Sequence, residues 1–87
     1  MLIPKLSLLA FGEPFVKLMF TKREVEVLRL IAQGYSTEAI AARLYRTTET
    51  IKSHRKNIRQ KAQENGEDIT SLPVFAVKYV KLLDGLV

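Results

Sequence analysis

Lys52, Ser53, Lys56, Asn57 and Gln60 stand at spacings that place them on one side of a helix, opposite Ile51 and Ile58. An ammonium group on such a face reaches phosphate oxygens or guanine O6 and N7, and an asparagine amide pairs with an adenine edge. The surrounding charge points the same way. Between Arg43 and Lys61 stand seven bases (Arg43, Arg46, Lys52, Arg55, Lys56, Arg59, Lys61) against Glu49 alone. The whole chain carries a formal charge of only +5, so the remainder is slightly acidic. A lysine-rich face taken alone is ordinarily just solvated. This one directly follows a short helix and a tight turn, the arrangement of a helix-turn-helix.

Other chemistries are excluded by what the chain lacks. There is no cysteine, which removes disulfides, Cys-based zinc sites and iron–sulfur clusters. The single histidine, His54, has no second histidine to share a metal and no Asp or Ser arranged to make it a general base. No phosphate-binding glycine loop or nucleophile–base pair is visible, so no enzyme activity, cofactor or metal is expected.

With 87 residues the chain holds one small domain, and 47% hydrophobic residues are too many for a disordered basic tail. The apolar run Leu6 to Phe11 follows only Lys5 and is too short for a secretory signal. Pro4, Pro14, Glu13 and Lys17 interrupt any membrane span of about 20 residues. The expectation is a soluble cytoplasmic protein with no membrane partner. Residues 1–20 are read as an N-terminal extension or linker, and residues 21–87 as the domain.

Four helices must position the basic face. Thr21 to Glu24 forms a T-x-x-E capping box, and Val25, Leu28, Ile31 and Ala32 give the first helix its apolar stripe up to Gly34. Ser36 or Thr37 caps a second, small-sided helix containing Ala39, Ile40, Ala41, Ala42 and Leu44. After Tyr45 and Arg46, the pair Thr47 and Thr48 offers the cap of a third helix, which runs from about Thr48 to Gln63. Its inner stripe is Ile51, His54 or Arg55, Ile58 and Ala62. Glu64 to Ser71 reads as a polar loop around Gly66, and Ser71 caps a fourth helix with Pro73 in its first turn. That last helix carries Leu72, Phe75, Ala76, Tyr79, Val80, Leu82 and Leu83, with Val74 and Val77 beside them. This is more apolar surface than one seam in a small bundle buries. No strand of convincing length and no internal repeat is present, so the expected fold is all-α.

From Phe20 to Gln63 the sequence resembles the LuxR/GerE-type helix-turn-helix DNA-binding domain, the output domain of NarL/FixJ-class response regulators. The carriers are T-x-R-E-x-E-V-L at Thr21 to Leu28, A-x-G-Y-S at Ala32 to Ser36, E-x-I-A-x-x-L at Glu38 to Leu44, and T-I-K-S-H-R-K-N-I at Thr50 to Ile58. These fragments share their order and spacing with the family across about half the chain. The resemblance implies a four-helix bundle whose second and third helices form the helix-turn-helix. It implies that Lys52, Ser53 and Lys56 enter the major groove of double-stranded DNA. It further implies a homodimer through the last helix, and a bacterial transcriptional regulator. Members normally carry a sensing domain ahead of this one, which twenty residues are too few to form. The chain therefore reads as a free-standing regulator or as part of a longer one.

The sequence departs from the family at Arg46, where an apolar residue usually packs under the turn; the Arg46 stem can lie over the core while its guanidinium reaches a phosphate, or the local packing differs. Arg59 and Ala62 stand where apolar residues usually close the third helix, and the loop around Gly66 is longer than usual. Thr47 and Thr48 cap the third helix in any function and can also meet a phosphate. Arg55 and Arg59 are read as phosphate clamps, His54 as a partly buried orienting residue, and Tyr35 and Tyr45 as packing residues. Glu49 is read as a first-turn acid complementing the helix dipole. The DNA-binding set is thus Thr47, Thr48, Lys52, Ser53, Arg55, Lys56 and Arg59. A competing reading keeps the bundle but uses the last helix as a protein-interaction or sigma-region-like module. It would bind a regulator or RNA polymerase, with the basic face incidental.

Overall fold

The computed structural model describes residues 20–85. Apart from Phe20, the expected N-terminal extension lies outside the described residues. Four helices follow one another: α1 (Lys22–Ala32), α2 (Thr37–Leu44), α3 (Thr48–Glu64) and α4 (Leu72–Asp84), with no strand among the described residues.

Each helix begins where a side-chain oxygen can replace the missing intrahelical acceptor. The Glu24 amide donates to Thr21 Oγ1 at 3.1 Å, and the Thr21 amide donates to Glu24 Oε1 at 2.9 Å, closing the capping box of α1. Ser36, not Thr37, caps α2 by accepting from the Ala39 amide. Thr47 caps α3 and Ser71 caps α4 in the same manner. The ends differ. At α1 Gly34 takes φ +94°, and the amides of Gly34 and Tyr35 return to the carbonyls of Ile31 and Leu30. At α3 Gly66 does the same work with φ +82°.

The core is one cluster drawn from all four helices, with Val27, Leu28, Ile40, Ile51, Ile58, Leu72 and Tyr79 fully enclosed. Helix α1 is its hub: α2 and α3 pack on it and on each other, while α4 lies along it. The α1 stripe is centred on Val27, Leu28 and Ile31. Val25 and Ala32 sit at its edge and are only half-buried, a rotation of the expected stripe. Phe20 also belongs to this core rather than to a linker. It meets Tyr79 edge-on at 5.1 Å between ring centroids and Phe75 at 6.1 Å.

Tyr45 does not pack. It is 92% exposed and takes a left-handed backbone, φ +56°, at the end of α2. The reason is local: only a left-handed residue lets the Arg46 amide turn back to the Ala41 carbonyl, at 2.9 Å, before α3 begins. That conformation throws the ring outward. Tyr35, by contrast, is half-buried against the core, with the Arg43 guanidinium 4.5 Å from its ring centre.

Candidate nucleic-acid interface

Helix α3 is amphipathic in a lopsided way. Ile51, Ile58 and Ala62 are buried, and His54 and Arg55 are both half-buried on either side of that stripe. The opposite face, made by Glu49, Lys52, Ser53, Lys56, Asn57 and Gln60, is exposed throughout. The structure therefore brings Lys52, Ser53 and Lys56 together on one open surface. Lys52 Nζ lies 3.8 Å from Glu49 Oε2, a loose and solvent-screened pair that leaves the ammonium available.

At the head of α3, Thr47 Oγ1 accepts from the Thr50 amide at 3.2 Å and lies 3.1 Å from the Thr50 hydroxyl. Thr47 is exposed and Thr48 half-buried. The positive end of the helix dipole opens here, beside the face carrying Lys52 and Ser53.

Arg55 is half-buried on the flank of α3, whereas Arg59 is exposed one turn past Lys56 and borders both that face and the loop to α4. Arg59 Nη1 donates to the Ile69 carbonyl at 3.3 Å and so ties α3 to the loop. Burial, joined by the neighbouring Arg59 charge, pulls the Arg55 guanidinium below its ordinary value. An anion at this flank would relieve both effects. Arg46 is exposed. At the position where the resemblance leads to an apolar side chain packed under the turn, this chain has a charge open to solvent.

Lys61 is the base that sequence reading did not separate from the rest. Its Nζ donates to Glu24 Oε1 at 2.8 Å, across 37 positions of sequence, and Glu24 is buried. Burial pushes the Glu24 carboxyl upward. The Lys61 hydrogen bond and charge, with the Thr21 amide and hydroxyl, outweigh it and hold that carboxyl below the usual range. Lys61 is thus structural. No spacing rule exposes a pair so distant in sequence, although an acid at the third position of a capping box invites a partner.

The outer side of α4 carries a second surface. Val74 is 68% exposed, and Val77 and Leu82 are also exposed, forming with Pro73, Lys78 and Lys81 a shallow apolar strip facing away from α1. Lys78 Nζ is held 3.2 Å from Glu67 in the preceding loop. Among the described residues no group of three His, Cys, Asp or Glu is placed to hold a metal. No described helix is long and apolar enough to cross a membrane.

The comparisons with known proteins take in α1, α2 and α3 together. The model of bacterial regulatory proteins of the luxR family matches residues 18–66. The chain is 44% identical over 59 residues to the uncharacterized transcriptional regulatory protein YxjL of Bacillus subtilis, covering 68% of this chain and 26% of that protein. It is 39% identical over 61 residues to the response regulator protein VraR of Staphylococcus aureus, covering 70% of this chain and 28% of that protein. VraR of Staphylococcus epidermidis matches to the same extent. The chain therefore spans little more than a quarter of the length of these curated relatives. No solved structure matches it significantly. The matched residues run from just before Phe20 through α3, and the chain belongs to the luxR family of bacterial regulatory proteins.

Proposed function

We propose that this domain binds double-stranded DNA in a sequence-specific way as part of a bacterial transcriptional regulator, with α3 in the major groove. The observation that carries the reading is the uniformly exposed face of α3, where Lys52, Ser53 and Lys56 project beside Asn57 and Gln60 from a helix held by its buried Ile51 and Ile58. Lys52 and Lys56 supply base-edge or phosphate contacts, and Ser53 permits close approach or reads either base type. Thr47, Thr48, Arg55 and Arg59 serve the sugar–phosphate backbone around them, Arg59 by exchanging its loop carbonyl for a phosphate. No catalytic step or cofactor is involved, and the site of action is the cytoplasm.

A homodimer through α4 completes the proposal. The strip of Val74, Val77 and Leu82 is apolar, exposed and turned away from the bundle, and a second copy would cover it. Two copies present two α3 helices to two half-sites. RNA polymerase or another regulator on the same strip is the competing reading, and it leaves the α3 face unused. The experiment is selection of a binding site from a random duplex library, followed by methylation of guanine N7 in the selected site. Loss of binding on N7 methylation supports major-groove reading. Binding indifferent to it contradicts α3 insertion.

A further inference from the structure

We propose that Tyr45 and Arg46, in the turn between α2 and α3, form a second grip on the DNA backbone outside the recognition helix. The inference rests on the DNA reading of α3 and extends it to the turn ahead of that helix. It joins Tyr45, a packing residue by sequence, to Arg46, whose guanidinium the sequence already allows to reach a phosphate.

Tyr45 is the most exposed large hydrophobic residue among those described, at 92%, and the only non-glycine residue there with a positive φ. A bulky aromatic side chain is poorly suited to that conformation, which glycine or asparagine adopts without strain. Folding alone therefore does not call for tyrosine: the turn needs a left-handed residue, and the ring touches none of the core. Backbone strain combined with full exposure points to a contact made with something other than the bundle.

Arg46 follows it and is exposed, with no acidic partner among the described residues. The nearby Arg43 is occupied on the Tyr35 ring, which leaves Arg46 as the open charge of the turn. Thr47, the next residue, caps α3, whose first-turn amides form the positive end of the helix. A cation and an aromatic ring with a hydroxyl, directly ahead of that end, suit a phosphate and its sugar. The turn carries no acid between Arg43 and Thr48, so like-charge repulsion does not oppose the approach.

The test uses the full chain and a random-sequence duplex, with affinity measured across a salt series for wild type, Tyr45→Gly and Arg46→Gln. Glycine suits the left-handed turn, so Tyr45→Gly should keep or raise the melting temperature while weakening binding by roughly fivefold at unchanged salt slope. Arg46→Gln should lower the slope by about 0.9, the loss of one phosphate contact. Wild-type affinity in Tyr45→Gly, or a wild-type slope in Arg46→Gln, overturns the grip while leaving DNA binding by α3 intact. Failure of the wild-type protein to bind any duplex overturns the DNA reading itself, and the grip with it. A Tyr45→Gly protein that binds DNA normally but loses transcription in a purified polymerase assay also overturns the grip, and assigns the turn to a protein partner.

Discussion

Lys61 Nζ sits 2.8 Å from the buried Glu24 carboxylate and joins the last third of α3 to the first turn of α1. Glu24 simultaneously closes the capping box, so a single oxygen serves the start of one helix and the register of another. The consequence for function is a division among the bases of α3. Lys52 and Lys56 are open, whereas Lys61 is committed to the fold.

Replacing Lys61 with methionine should therefore destabilise the domain without weakening its response to salt. The lysine is 35% exposed, so the loss lies between a surface pair and a fully buried one, about 1–2 kcal/mol in urea denaturation. The salt slope of DNA binding should match wild type. A slope reduced by a full phosphate contact would make Lys61 a DNA ligand instead.

Glu24 also sets an acid limit. Its folded carboxyl titrates below the ordinary value of 4.5, so its contribution is complete above that value and is lost as pH falls through the depressed folded value. Melting temperature followed from neutral pH downward should decline below about 4.5, beyond the general acid response, in wild type. Glu24→Gln should be less stable at neutral pH and show a shallower decline. Parallel curves for the two proteins would remove Glu24 from the acid response.

Tyr79 presents the opposite case, a polar group the core does not satisfy. Its hydroxyl is buried without a hydrogen-bond partner among the described residues, and burial pushes its pKa up to about 12, against a smaller opposing pull from Arg29. Tyr79→Phe keeps the ring contacts with Phe20 and Phe75 and removes only the orphan oxygen. Stability should stay level or rise by up to about 1 kcal/mol. A clear loss of stability would mean the hydroxyl has a partner.

If the proposed dimer forms through the apolar strip on α4, dimerisation can be separated from folding. Val74 is 68% exposed, so Val74→Glu should change stability by no more than about 0.5 kcal/mol. Sedimentation should nevertheless show monomer at concentrations where wild type is dimeric, and affinity for a two-half-site operator should fall while single half-site binding stays. A variant that still sediments as wild type would place the second copy elsewhere.

Much of this architecture was legible because its signals are local. The caps at Thr21, Ser36, Thr47 and Ser71 each act within three residues, and glycine marks the ends at Gly34 and Gly66. The exposed face of α3 was legible for the same reason, since helical spacing puts Lys52, Ser53 and Lys56 opposite Ile51 and Ile58. What escaped depends on contacts distant in the chain or on backbone geometry. Val25 and Val27 are equally apolar, and the packing of the other three helices on α1 encloses Val27 while leaving Val25 half-buried. Arg59 reads only as a phosphate clamp and Lys61 as one more base in a basic run, because the Ile69 carbonyl and the Glu24 carboxylate that hold them lie on other elements. Tyr45 was expected to pack by residue type. Its left-handed backbone, imposed by the turn, sends it outward.

The open lysines of α3 are proposed to meet DNA. Fluorescence anisotropy of a labelled random-sequence duplex, titrated across a salt series with wild type and a Lys52→Ala/Lys56→Ala double variant, tests it most directly. Wild-type affinity should fall by roughly 0.9 log unit per log salt for each phosphate neutralised, and the double variant should lose most of the binding. Equal binding by both proteins, or no binding by wild type at low salt, would contradict the assignment of DNA to this face.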